Sequence, residues 1–466
     1  MKIFSYFTRQ FYTSGGYYEF LKIAFPLIVS MGIGAVQLFV DRIFLAWYST
    51  ESFAASVPAG VSNFAIVSLF LGALSYINVF VSQYYGKGEY RSIGPAIWQS
   101  VFLCFGAALI MLVLSFFSNS IFEFMGHPAL LVKEEGDFFR VMCYGAFPAI
   151  AASVFSGFYS GRGRTGIVLL ISTVGVCANI VLDYLLIFGN FGFPERGIAG
   201  AAEATNWAAL ITFAIYMLLV LSKKNADIYN TRFIRLDFSF MKRLLKFGIP
   251  NGVQFFFDMA GFSIFVLIIG SLGTEALAAN NIALNTYNLA YMPLIGSGIA
   301  LSVMVGKYLG KNKVSLAQAS VRSAVQIVCL YMFFVAIVMT VFPEKLVTWF
   351  LGGSEVISIE QIIPMSIVLL RINAAFLIFD AINVVFSAAI KGAGDTAFVM
   401  KTMILVSIFI IIIPIYLIVS VFNLGLYAAW TAMIVYIAVL AGTFYLRYKS
   451  NKWKKMRVIN MDIAEE

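Results

Sequence analysis

The heptapeptide FLKIAFP at Phe20–Pro26 returns as LLKFGIP at Leu244–Pro250, a shift of 224 positions. The same shift carries ESFAAS (51–56) onto EALAAN (275–280) and YYGKG (84–88) onto YLGKN (308–312). No gap is needed over about sixty residues. Further on, GRGRTGIV (161–168) matches GAGDTAFV (392–399), with the shift grown to 231. The chain is one unit written twice, and the fold has to accommodate two similar halves.

What each half is made of follows from composition. Of the 466 residues, 61% are hydrophobic and 12% charged, and the mean hydropathy is +0.90. A soluble domain carries about 25% charged residues. Apolar runs of roughly 20 residues, each long enough to cross a bilayer as a helix, recur throughout. The first 20 residues lack the compact apolar core and small-residue cleavage site of a removable leader, so the first long apolar segment is expected to remain as a helix. Breaks at charged and Gly/Pro-rich joints place twelve spans near 23–48, 53–84, 95–118, 138–160, 167–189, 199–221, 243–272, 276–306, 318–342, 359–390, 398–422 and 425–447.

Six spans per copy is an even number, so both copies enter the membrane in the same sense. The expected fold is an all-α polytopic membrane protein. Its twelve transmembrane helices form two parallel six-helix repeats around a central cavity. Residues 1–221 form the N-lobe, 222–242 a cytoplasmic linker, 243–447 the C-lobe and 448–466 a cytoplasmic tail. With alternate loops assigned to one face, that face holds 26 of the 32 Lys and Arg. The opposite loops hold Lys133, Arg140, Arg196 and Lys345, and Arg42 and Arg371 lie within spans. The crowded face is cytoplasmic by the positive-inside rule. The formal charge of +9 thus reflects orientation, and no nucleic-acid partner is implied. A multi-pass protein of the bacterial cytoplasmic (inner) membrane, with both termini in the cytoplasm, is expected.

Several enzyme signatures are excluded. GRGRTG at Gly161–Gly166 satisfies GxGxxG literally, but its flanks are membrane helices rather than a βαβ unit, and its repeat partner GAGDTA marks a helix–helix turn. The four cysteines, Cys104, Cys143, Cys177 and Cys329, lie in apolar segments without CxxC spacing and read as buried thiols. A single histidine, His127 in a GHP loop, supports neither a metal cluster nor serine–histidine chemistry. No enzyme activity, resident metal or cofactor, or obligate protein partner is expected; the surrounding lipid is the evident partner.

The informative polar residues are four aspartates inside spans: Asp41, Asp183, Asp258 and Asp380. A carboxylate left unpaired in hydrocarbon costs a few kcal/mol or more, so each should face protein or a wet cavity. Each has an amide three or four residues away on the same helix face: Gln37, Asn179, Gln254 and Asn383 respectively. Helical rise puts Asp41, Asp183 and Thr205 roughly 10 Å below the outer ends of their spans. Two carboxylates, the Asn179 amide and a hydroxyl at one level suit a small hard cation. They equally suit a proton carrier, because two adjacent carboxylates do not both ionise cheaply. Asp258 and Asp380 lie roughly 15–18 Å from their cytoplasmic ends, where they could neutralise a cationic substrate or relay protons. Glu203 sits nearer the outer interface. Arg42 is turned about 100° from Asp41 around the helix, so the two do not pair within it.

These residues resemble those of the multidrug and toxic compound extrusion (MATE) transporters. The resemblance rests on Pro26, LFVDRIFLAW, ANIVLDYLLIFGNFGFPERGIAGAAEAT at 178–205, GIPNGVQFFFD with LGTEALAANNIAL, and FDAINVVFSAAIKGAGDT. It implies a cation-linked carboxylate at Asp41, with Asn179, Asp183 and Thr205 completing an N-lobe ion site. Acids at the positions of Asp258 and Asp380 characterise one branch of that family, whereas Asp183 resembles another, which leaves Na+ and H+ coupling both open. The function implied is antiport of amphipathic organic cations or drugs against Na+ or H+. The alternative is a lipid-linked saccharide flippase of related fold, whose anionic headgroup would be expected to prefer a cationic cavity.

Overall fold

The computed structural model describes residues 11–351 and 359–460. The first ten residues of the expected N-lobe and the last six of the tail lie outside the described residues. Among the described residues the regular structure is helical throughout. The helices are α1 (Tyr17–Tyr48), α2 (Thr50–Ser75), α3 (Ile77–Lys87), α4 (Ile93–Ser115), α5 (Ser118–Phe124), α6 (Ala129–Tyr144), α7 (Ala146–Ser160), α8 (Thr165–Phe188), α9 (Gly197–Val220) and α10 (Lys223–Tyr229). After these come α11 (Phe238–Gly270), α12 (Thr274–Gly310), α13 (Val314–Val341), α14 (Pro343–Leu351), α15 (Ile359–Ala393), α16 (Thr396–Val421) and α17 (Gly425–Lys449).

Among the described residues, eleven helical segments are long and apolar enough to span a bilayer, and the pair α6–α7, bent by 47°, makes a twelfth when counted as one span. The sequence reading of span 4 as one helix, 138–160, therefore needs correction. The chain breaks at Gly145, and Pro148 removes an N–H from the first turn beyond it. The Val141 carbonyl freed by the break accepts a hydrogen bond from Asn206 Nδ2 of α9 at 2.5 Å. Helix α16 departs from regularity in another way, passing through π-helical turns at Ser407–Ile412 and Leu417–Val421 on either side of Pro414. The turn between α7 and α8 at 161–164 is the short helix–helix connection expected for GRGRTG.

The described residues group into two compact units. The first contains the chain up to Ile28 with Phe257–Val305 and Lys313–Met456; the second contains Val29–Phe256, Gly306–Asn312 and the chain from Arg457 onward. Helices α1 and α11, equivalent in the repeat, each pass from one unit to the other partway along their length.

The repeat is visible in the packing of its glycines. In the second unit, a Cβ at Gly86 would strike the backbone of Lys307, and a Cβ at Gly310 would strike the backbone of Gln83. The 224-residue shift carries Gly86 onto Gly310 and Gln83 onto Lys307, so the two contacts are equivalent and YYGKG and YLGKN hold their glycine for the same reason. A Cβ at Gly72 would lie 2.8 Å from Gly252 Cα; within the first unit, one at Gly296, the equivalent position, would lie 2.8 Å from Ile28 N. Backbones this close leave no room for a side chain, and close approach through small residues is how helices gain packing energy in a lipid solvent.

The cysteine expectation held for two of four positions. Cys104 and Cys143 are buried, while Cys329 is half-buried and Cys177 is exposed; all four are free thiols.

Candidate ion and substrate sites

In the second unit, α1 runs beside α8. The Ser30 hydroxyl donates to Ser172 Oγ at 2.9 Å near one end of the contact. Near the other end, the Phe44 ring lies 6.3 Å from Tyr184 and 6.0 Å from Phe188. Leu45, Ala55, Ile187, Ile198 and Ala201 close this end with a buried apolar cluster. Between the hydroxyl pair and the apolar cluster lie the charged groups that the sequence singled out.

The carboxyl groups of Asp41 and Asp183 meet there within hydrogen-bonding distance of each other. Two carboxylates offer only acceptors, so that contact is a hydrogen bond only when the pair holds a proton. Among the described residues, no donor serves Asp41 Oδ1 or either carboxyl oxygen of Asp183. Asn179, one helical turn before Asp183 and fully buried, has both amide atoms without a partner. Buried polar atoms are almost always satisfied, because each one left unpaired costs about 1–3 kcal/mol. Five such atoms in one place describe a site shaped for something other than the protein's own groups. The set contains acceptor oxygens from two carboxylates and an amide, the hard ligands that a small cation or a proton takes.

The other residues proposed for this site fall at varying distances from its chemistry. The Thr205 hydroxyl donates to Ala201 O of its own helix at 3.1 Å, which leaves its oxygen able to accept or coordinate. Gln37 is half-buried on α1. Glu203 belongs elsewhere: it forms an ion pair with Arg196 at 2.9 Å, both partners partly exposed. Arg42, next to Asp41 in sequence, is exposed.

The first unit treats its acids differently. Asp380 on α15 is 2% exposed, and its Oδ2 accepts from the Tyr287 hydroxyl of α12 at 2.7 Å. Asn383 lies one turn along α15 from Asp380, on the same helix face. The Tyr287 ring stacks on Tyr291 at 5.4 Å and meets Phe376 edge-on at 5.6 Å. Asp258 on α11 is half-buried. Tyr287, Tyr291 and Tyr436 each lie close enough to both Asp258 and Asp380 to feel their charge. Lys391, near the end of α15, is within electrostatic range of Asp258. Gln254, also on α11, is half-buried and belongs to the second unit.

The three tyrosines and Lys391 were not singled out from the sequence. In a chain with 46 Phe and 23 Tyr, an aromatic residue in an apolar run carries no signal. Lys391 was counted among the basic residues of the cytoplasmic face. A clue was nonetheless present: Tyr287 and Tyr291 are four residues apart, so they share one face of α12.

Comparison with known proteins connects this geometry to a family. A sequence profile described as MatE matches residues 26–185 and 250–418, one segment in each copy of the repeat. A probable multidrug resistance protein NorM from Thermotoga maritima is 28% identical over 458 residues, covering 96% of this chain and 95% of the relative. A probable multidrug resistance protein NorM from Shewanella oneidensis is 26% identical, covering 81% of each chain. Among solved structures, a MOP superfamily transporter from Pyrococcus furiosus superposes with a TM-score of 0.84 at 21% identity, covering 94% of this chain and 96% of the other.

Proposed function

We propose that this chain, which belongs to the MatE family of multi-pass membrane transporters, exports amphipathic organic cations or drugs in exchange for Na+ or H+. The observation that carries the coupling is the Asp41–Asp183 pair with Asn179: acceptor oxygens in contact, buried and without donors. A proton or a sodium ion bound there relieves the repulsion and satisfies the orphaned oxygens. Whichever arrangement of the helices brings the two acids together is therefore favoured by the ion. Export is coupled when substrate favours the opposite arrangement, since a ligand shifts an equilibrium only by its differential affinity for the two states. Thr205 is assigned to the edge of this ion site. Asp258 and Asp380, with Tyr287, Tyr291 and Tyr436, are assigned to recognition of the positively charged substrate through carboxylate charge and aromatic faces. The drug-export reading is supported by the names of the NorM relatives. The cytoplasmic membrane, with the basic face inward, is the assigned location.

The test is transport of a fluorescent organic cation by the full chain in proteoliposomes, with sodium and pH gradients imposed one at a time. Export accelerated by one gradient identifies the coupling ion, and Asp183→Asn should abolish that acceleration. Export indifferent to both gradients, or acceleration that survives Asp183→Asn, would refute the assignment.

A further inference from the structure

A second site lies in the first unit, away from the buried acids and independent of the transport reading. A cavity of about 910 Å³ opens among the start of the described chain, α13, α15 and α17. Its polar lining comes from Thr13, Ser315, Gln318, Gln326, Arg322 and Tyr448. Arg322 is the one charged side chain among the described residues that line it. Every contributing element reaches the cavity with the end that the Lys and Arg distribution assigns to the cytoplasm.

The walls are fixed. The Tyr17 hydroxyl donates to Gln326 Oε1 at 2.5 Å, so the amide of Gln326 is oriented with its NH2 group left as a donor. Tyr448 is held in a row of rings, 5.0 Å from Phe386 on one side and stacked 5.1 Å from buried Trp453 on the other. The backbone at Gly15 is anchored where its N–H donates to Glu19 at 2.8 Å and its carbonyl accepts from Ser323 at 3.0 Å.

Depth comes from a separate feature. Phe11, Tyr12 and Tyr18 form an exposed aromatic cluster beside Thr13, with centroids 5.0–6.3 Å apart, and Lys22 reaches to 5.9 Å from the Tyr18 ring. Exposed tyrosines with a neighbouring lysine mark the headgroup level of a bilayer. The cavity therefore sits where phospholipid headgroups are, and it offers one guanidinium among hydroxyl and amide groups. Guanidinium groups bind phosphate through paired N–H donors, and basic pockets between helices on the cytoplasmic side hold anionic headgroups.

We propose that this cavity binds the phosphate of an anionic phospholipid of the inner leaflet. Arg322 takes the phosphate oxygens, and Ser315, Gln318 and the Gln326 NH2 group contact the remaining headgroup oxygens. A zwitterionic lipid is disfavoured because its ammonium would sit beside Arg322. The test uses the full chain in detergent, stripped of lipid and titrated with dioctanoyl phosphatidylglycerol, dioctanoyl phosphatidylcholine or inorganic phosphate. Bound lipid is read by native mass spectrometry. The glycerol lipid should bind at least tenfold more tightly than the choline lipid, and inorganic phosphate should not displace it. Arg322→Gln should weaken phosphatidylglycerol binding about tenfold, the size of one lost charge-assisted hydrogen bond. Lys224→Gln, an exposed cation on α10, should leave binding unchanged. Ser315→Trp, which fills the cavity without altering its charge, should block binding, and it supplies the result should Arg322→Gln fail to accumulate. Equal binding of the two lipids, displacement by inorganic phosphate, or unaltered binding in Arg322→Gln or Ser315→Trp would overturn the proposal.

Discussion

The two units each bury aspartates within membrane helices and provide for them in opposite ways. Asp380 has a hydrogen bond supplied: Tyr287 donates at 2.7 Å, and a stacked tyrosine keeps the donor in place. Among the described residues, Asp41 and Asp183 face each other with three oxygens lacking donors, and the adjacent Asn179 lacks partners at both amide atoms. A carboxylate whose bonds are supplied by protein is suited to remain charged and attract a cationic substrate. A carboxylate pair without donors is suited to bind and release an ion. We therefore assign ion coupling to the second unit and substrate charge recognition to the first.

Substitutions can break this contrast. The largest effect should come from Asp41→Asn. It converts a pair that requires a cation or proton into one that an amide satisfies, and gradient-stimulated export should fall about tenfold or more, the scale of at least about 1.4 kcal/mol of lost differential binding. A sharper contrast comes from stability. Asn179→Leu removes an unpartnered buried amide and should raise stability in detergent by about 1–3 kcal/mol while reducing coupling. Tyr287→Phe removes the donor to Asp380 and should lower stability by a similar amount, about 1–3 kcal/mol. Thermal unfolding followed by tryptophan fluorescence distinguishes the two directions. A smaller effect is expected at the edge of the ion site: Thr205→Val should shift the half-saturating ion concentration about threefold, less than a full hydrogen bond is worth. The smallest belongs to Glu203→Gln. Its partly exposed ion pair with Arg196 is worth about 0–1 kcal/mol, and transport rates should match wild type.

Much of this arrangement was legible in the sequence because charge in an apolar run is conspicuous. Asp41 and Asp183 could be placed at one depth from helical rise alone, and the structure brings them into contact. The repeat was legible because its glycines are held by reciprocal backbone contacts, Gly86 with Lys307 and Gly310 with Gln83. The break at Gly145 was harder to read, since its compensating partner, Asn206, lies 61 positions away on α9. The partners of Asp380 were hidden for a different reason. Tyr287 acts through a hydroxyl whose target is set by packing between α12 and α15, and its residue type is too common here to stand out. Glu203, placed nearer the outer interface from the sequence, pairs with Arg196, a partner that only the folded geometry reveals.

The division of roles between the two units predicts different outcomes for Asp41→Asn and Asp380→Asn in the same proteoliposomes, read as the ratio of export rates with and without the driving ion gradient. Asp380→Asn should export more slowly yet keep the wild-type ratio, while Asp41→Asn should give a ratio near one. A ratio that persists in Asp41→Asn and collapses in Asp380→Asn would contradict the assignment of coupling to the second unit.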